Sequence, residues 1–187
     1  MARRTPLQDR APVAVTIHIV RSPRDLATVR RLFQEYARSL TIDLSVQGFE
    51  EEVRTLPGLY GRPAGALLLG RVRGRVAGCV ALRPGPGRSG ELKRLFVRPN
   101  FSRAGLGSAL LEAVVRGARK RGYDSLVLDT LPEMERAHRL YERRGFRETA
   151  PYGASSLRVR ATFGSTSDLL RDRRRIAANG GVIPLPR

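Results

Sequence analysis

Tryptophan is absent from this chain of 187 residues, and cysteine occurs once. Histidine and lysine occur only twice each. A single Cys79 excludes a disulfide scaffold, and with only His18 and His138 beside it no structural zinc site is expected. Long apolar runs are missing as well. The longest uncharged stretch, Ile176 to Pro186, is about half of what a membrane-spanning helix needs. Met1 to Pro12 carries arginines without the apolar segment of a secretory leader. No membrane partner and a cytoplasmic location are therefore expected.

Acidic residues are also scarce: 17 stand against 35 basic ones, for a net charge of +18. The excess is spread along the chain, at +2 over residues 1–12, +11 over 13–150 and +5 over 151–187. Such a field attracts polyanions, whether nucleic acid or a phosphorylated cofactor. No nucleic-acid reader motif accompanies it, and 33 of the 35 basic groups are arginine, a skew that coding bias can produce. No specific nucleic-acid partner is expected. Hydrophobic residues, at 41%, suffice for one core. The chain divides into a flexible segment 1–12, a domain 13–152 and an atypical basic tail 153–187.

Val13 to Val20 reads as a first strand, and Ser22-Pro23 opens a helix with Leu26, Val29, Leu32, Phe33, Tyr36 and Leu40 at helical spacing. Phe49 to Leu56 reads as a weaker helix. Ala66 to Val72 and Val76 to Leu82, joined at Arg73-Gly74-Arg75, read as a β-hairpin. Glu91 to Val97 is another strand. Gly105 to Arg121 is the clearest helix, with Leu106, Leu110, Ala113, Val114 and Gly117 on one face. Ser125 to Asp129 is a short strand, Thr130-Leu131-Pro132-Glu133 a capping box opening a further helix, and Phe146 to Thr149 one more strand. Alternating strands and helices predict an α/β fold with a mixed sheet and helices on its faces.

Two glycine patterns could cradle a phosphate. Gly85-Pro86-Gly87-Arg88-Ser89-Gly90 matches GxGxxG by letter, but it leads into a strand and offers no helix N-terminus. Ser102-Arg103-Ala104-Gly105-Leu106-Gly107 follows a strand and opens the strongest helix. Its glycines let backbone approach a ligand, and the helix's first N–H groups lack internal partners, so a pyrophosphate fits there with Arg103 as an added cation. A plain glycine-rich turn is the other reading of these residues alone.

Glu91-Leu92-Lys93-Arg94-Leu95-Phe96-Val97-Arg98-Pro99, followed by Gly105-Leu106-Gly107-Ser108-Ala109-Leu110-Leu111, resembles the acetyl-CoA-binding motif of the GNAT acetyltransferase superfamily. Ala137-His138-Arg139-Leu140-Tyr141-Glu142-Arg143-Arg144-Gly145-Phe146 is similar to its second motif, A-x-x-L-Y-x-x-x-G-F. The resemblance covers roughly residues 13–152. Ser102 stands where that family usually has Gln or Arg, and Met134 where part of it has Asn.

The resemblance implies a mostly antiparallel central sheet whose fourth and fifth strands splay, with helices on both faces. It also implies acetyl-CoA as cosubstrate and no metal. The pantetheine arm would pair with Leu95, Phe96 and Val97, one of whose N–H groups would face the thioester carbonyl. The pyrophosphate would lie on Ser102, Arg103, Ala104, Gly105, Leu106, Gly107 and Ser108. Tyr141 matches the general acid that protonates the leaving thiolate, and Glu91 the carboxylate that takes the amine's proton through water. The implied activity is N-acetyl transfer to a primary amine by direct attack in a ternary complex. The acceptor would be a small molecule or a peptide, and a homodimer is left open. A catalytically weak acyl-CoA-binding regulatory module and a basic nucleic-acid-binding domain are the alternatives.

Several residues receive plainer readings. Cys79 is expected in the core, His18 has no evident partner, and His138 lies on a helix surface. Glu50-Glu51-Glu52 is expected as a solvated helix face, and Glu91 otherwise as a solvated ion pair with Arg94. In the tail, residues 157–163 alternate as a replacement last strand would, with residues from about 168 onward mobile. Permitted codons from Gly153 also encode, in a shifted frame, an ending of the kind this family carries, so the tail reads as a frameshift candidate.

Overall fold

A computed structural model describes residues 13–45, 48–131, 133–148 and 159–163. Seven strands form one sheet: β1 (Val15–Ile19), β2 (Ala66–Val72), β3 (Arg75–Pro84), β4 (Ser89–Val97), β5 (Ser125–Thr130), β6 (Phe146–Glu148) and β7 (Val159–Phe163). Their order is β1-β2-β3-β4-β5-β7-β6. Only the β4·β5 pair is parallel. Among the described residues four α-helices complete the fold: α1 (Pro23–Arg38), α2 (Phe49–Arg54), α3 (Leu106–Lys120) and α4 (Glu135–Arg143). This is the mixed, mostly antiparallel α/β architecture expected.

Local chemistry sets the element ends. Ser22 Oγ accepts from the Asp25 N–H at 3.1 Å with Pro23 in the first turn, so α1 starts there. The hairpin turn is two residues long, Arg73 and Gly74, both at positive φ (49° and 76°), and Arg75 already pairs with Val72. Thr130 is the last residue of β5, and α4 begins at Glu135 after Met134 with no side-chain cap. The expected capping box therefore does not form; Glu133 instead accepts from the Thr41 hydroxyl at 2.8 Å. The second helix also stops early, at Arg54, and a 3-10 turn over Gly58–Tyr60 follows.

Two apolar layers sandwich the sheet. On one face α3 buries Leu106, Leu110, Leu111, Val114 and Ala118 against Leu68, Val80, Leu92, Leu126 and Leu128. Ala113 and Gly117, expected on that face, are only half-buried. Gly70 makes the close approach possible, because a Cβ there would stand 2.5 Å from Leu106 Cδ1. On the other face Val29, Leu32 and Phe33 of α1 and Val53 of α2 cover Leu67, Leu69, Cys79 and Phe96. Cys79 is fully buried there, and burial pushes its thiol far above the ordinary range.

Two irregularities in β4 position the site. Pairing with β5 runs from Ser89↔Ser125 to Leu92↔Leu128 and stops, so the strands part beyond that point. On the β3 side the register shifts between Cys79 and Ala81, which pair with Phe96 and Lys93. One residue of β3 thus spans two of β4, a bulge at which Arg94 adopts φ 55°. Beyond the splay β5 pairs with β7, which β6 flanks on its far side. Thr149, the segment 1–12 and the tail residues 153–158 and 164–187 lie outside the described residues, and with them the readings of mobility and frameshift.

Candidate active site

Two depressions meet where β4 and β5 part, sharing Leu95 and Met134. The first is a groove, open to solvent, between the glycine loop and α4. Leu95, Val97, Ser102, Arg103, Gly105, Gly107 and Ser108 line one side, and residues from Met134 to Arg143 the other. Gly105 caps α3 at φ 75° without any side-chain cap hydrogen bond, so the first amides of the helix point into solvent space. A Cβ on Gly107 would meet only Leu140 at 3.7 Å and Val97 at 3.8 Å. The cradle is thus open backbone at a helix N-terminus, chemically suited to a pyrophosphate.

The other loop residues sit differently. The Leu106 side chain is fully buried, so only its amide is available to a ligand. Ala104 packs partly against the core. The Ser108 hydroxyl accepts from Arg144, which also pairs with Glu112, and this ties the α3 N-terminus to the end of α4. Leu95 and Val97 face α3, whereas Phe96 is buried on the α1 face with its ring 5.9 Å from Tyr36. With β5 gone from beside them, these three residues of β4 have backbone groups on the splay side without a ladder partner among the described residues.

The second depression is a cleft on the α1 face, lined by Tyr36, Leu40, Ile42, Leu44, Leu131 and Met134, with Lys93, Arg94, Asp129 and Tyr141 also reaching it. Tyr141 is 6% exposed, and its ring lies 5.6 Å from that of Phe146. It therefore packs as a core aromatic while still reaching the cleft. Burial raises its phenol above the ordinary value, so it stays protonated at working pH.

The reading of Glu91 as a solvated ion pair with Arg94 needs correction. Glu91 does not pair with Arg94 and is not solvated: it is 7% exposed, Arg83 Nε donates to it at 2.7 Å, and Lys93 Nζ stands 3.4 Å away. It does not line the cleft, where Lys93 and Arg94 are the ionic β4 side chains. Lys93 Nζ is also 3.8 Å from Asp129 Oδ2 across the splay. Burial pulls the Lys93 ammonium below its usual value, against the pull of Glu91 and Asp129.

Arg94 takes a different partner. Its Nε and a terminal nitrogen donate to the two Glu52 oxygens at 2.9 and 2.6 Å, and Tyr60 Oη adds a 2.7 Å bond. Glu52 is therefore not a solvated helix residue, although Glu51 is, in an exposed pair with Arg54. Burial pushes the Glu52 carboxyl up, but Arg94 and Tyr60 outweigh it and hold it below the usual range. His18 does have a partner, Asp25 Oδ1 at 3.5 Å, and His138 Nε2 is 2.8 Å from the Leu131 carbonyl oxygen. Among the described residues no group of three His, Cys, Asp or Glu side chains could hold a metal, and no helix is long and apolar enough to cross a membrane.

Residues 28–146 match the acetyltransferase (GNAT) family. The chain belongs to that family. It is 40% identical over 144 residues to an uncharacterized N-acetyltransferase of Schizosaccharomyces pombe, spanning 75% of this chain and 88% of that protein. Its fold matches a GNAT-family acetyltransferase from Staphylococcus aureus with a TM-score of 0.66 at 18% identity, covering 80% of this chain and 98% of that one. It also matches a Salmonella typhimurium protein solved with its cofactor acetyl-CoA, with a TM-score of 0.57 at 22% identity, covering 81% and 94%.

This GNAT acetyltransferase has cleft residues that sequence reasoning did not single out: Tyr36, Lys93, Arg94 and Asp129. Tyr36 was legible only as part of an apolar helix face. Lys93 carried one signal, being one of two lysines in an arginine-dominated chain.

Proposed function

We propose that this acyltransferase moves an acetyl group from acetyl-CoA to a primary amine, by direct attack with both substrates bound. The observation that carries the reading is the junction of the two depressions at Leu95 and Met134, in the gap where β4 leaves β5. A thioester threaded through the gap would meet an acceptor arriving from the α1 face. Acetyl-CoA supplies the activated acyl group; the chain supplies position and proton transfer.

The amides of Gly105, Leu106, Gly107 and Ser108, aided by Arg103 and the Ser102–Ala104 turn, bind the pyrophosphate. Backbone groups of Leu95, Phe96 and Val97 hold the pantetheine arm as a substitute strand, and one of their N–H groups polarises the acyl carbonyl. Tyr141, kept neutral by burial, delivers its proton to the departing sulfur. Glu91 draws the amine's proton through water beside Lys93, because it has no direct face on the cleft. The bound acetyl-CoA of the Salmonella typhimurium fold relative supports the choice of donor. A free-CoA release assay across an amine panel, with mass spectrometry of products, tests the reading. An acetylated amine appearing in step with CoA is the expected result; tight acetyl-CoA binding with no amine acetylated would overturn it.

A further inference from the structure

The cleft on the α1 face carries a polarity that acetyl transfer by itself does not require. Its walls are apolar, from Leu40, Ile42 and Leu44 after α1 and Leu131 and Met134 before α4. Its floor is ionic, with Lys93 and Arg94 from β4 and Asp129 from β5. These three groups belong to a balanced ionic cluster, because Glu52 pairs with Arg94 and Glu91 with Arg83 and Lys93 outside the cleft lining, in contacts of 2.6 to 3.8 Å that include Lys93 with Asp129. The cleft is partly open to solvent, so a ligand can reach its floor from the α1 face.

Balance restricts the acceptor. A polyamine or an aminoglycoside would bring several uncompensated positive charges to a half-buried floor, inside a chain that already carries +18. A zwitterion brings none. The identity of residue 93 adds to this. Arginine fills 33 of 35 basic positions, yet this one is lysine. The neighbouring guanidinium, Arg94, is committed to Glu52 through a fixed fork. An ammonium carries three donors on one rotatable atom, so Lys93 can lean on Glu91 and Asp129 and still donate to a ligand oxygen.

We propose that the acceptor is a free α-amino acid with an apolar side chain. Its carboxylate bonds to Lys93, its amine lies against Asp129, and its side chain packs on the apolar walls. This rests on the acetyl-transfer reading of the same site. The α-ammonium first releases one proton to solvent. The amine nitrogen then attacks the acetyl carbon, so that a C–N bond forms as the C–S bond breaks. Nitrogen loses its second proton while sulfur gains one, giving the N-acetyl amino acid and free CoA.

The test compares three matched acceptors with the full chain: L-leucine, L-leucinamide and isoamylamine. The second keeps the shape and removes the carboxylate charge, as a peptide N-terminus would; the third lacks the carboxyl group. Leucine should exceed both by about 100-fold in kcat/KM, as expected where a charged site loses its partner. In Lys93→Gln the ratio should fall towards one, mainly through KM for leucine, with acetyl-CoA affinity by calorimetry certifying that the variant is folded. Equal or better turnover of leucinamide or isoamylamine would overturn the amino-acid proposal while leaving acetyl transfer standing. A leucine preference that survives in Lys93→Gln would overturn the Lys93 assignment. Acetyl-CoA binding without acetylation of any of the three or of a wider amine panel would overturn both readings together.

Discussion

Arg94 and Glu52 join β4 to α2 through a two-pronged ion pair, at 2.9 and 2.6 Å, with side chains only 5% and 13% exposed. The guanidinium also sits 5.1 Å from the Phe49 ring centre and 5.9 Å from that of Tyr36. The pair fixes α2 over the bulge of β4, where Arg94 lines the cleft on the α1 face. Removing one partner leaves the other charged and buried.

Glu52→Gln should therefore destabilise the protein by about 3 kcal/mol at neutral pH, or roughly 6–12 °C in Tm for a domain of this size. The pH dependence follows from the direction of the shift. The Glu52 pKa is depressed in the folded state, so its stabilisation is present above the unfolded value of about 4.3 and is lost as pH falls through the folded one. Urea unfolding should show a wide gap between wild type and variant at pH 7 that narrows towards pH 3. A gap of constant size across that range would mean that the carboxylate's charge is not what stabilises the fold.

The glycine cradle makes a separate prediction. Gly107→Glu places a carboxylate among amides proposed for the pyrophosphate, at a position where a Cβ meets no contact closer than 3.7 Å. Acetyl-CoA affinity should drop by about tenfold or more, through charge repulsion and blocked backbone approach, while the melting temperature changes little. Isothermal calorimetry paired with a thermal melt separates the two effects. Unaltered affinity in the folded variant would remove the pyrophosphate from this loop.

Gly70 offers a test of the packing beneath that loop. A Cβ there would come within 2.5 Å of Leu106 Cδ1, at the first residue of α3. Gly70→Ala should cost about 1–3 kcal/mol by overpacking and should weaken acetyl-CoA binding as the helix N-terminus shifts. Chemical denaturation together with calorimetry would check both. Full stability in the variant would show that Leu106 repacks without cost.

What the sequence made legible was local. Gly105 and Gly107 at the start of a strongly periodic helix, and Tyr141 one turn before Gly145-Phe146, are contiguous patterns with their own physical logic. The ionic floor of the cleft was not contiguous. Arg94 and Glu52 are 42 residues apart, and strict strand alternation puts Lys93 and Arg94 on opposite faces. The bulge places both on the α1 face, and it is visible only in the β3·β4 register. Glu91 was misread for the same reason: its partner Arg83 is set by cross-strand register, not by nearness in the chain. The absent capping box at Thr130 reflects competition as well, since β5 keeps Thr130 in its ladder with Val159.

Tyr141 gives the sharpest separation of chemistry from packing. Its ring stacks at a tilt on Phe146, and that contact survives replacement by phenylalanine because only the hydroxyl is lost. If the hydroxyl protonates the leaving sulfur, Tyr141→Phe should lower kcat by roughly 10²–10⁴, with acetyl-CoA affinity and Tm near wild type. Burial holds the phenol above its ordinary value, so the proposed donor stays loaded up to at least about pH 10. An alkaline fall in wild-type kcat that begins well below pH 10 must then arise from another group, and it should persist in the residual activity of the variant. Steady-state kinetics of both proteins between pH 6 and pH 10, set beside calorimetry and melts, make the comparison. Wild-type turnover in Tyr141→Phe would leave Tyr141 as a packing residue and require a different proton source for the thiolate.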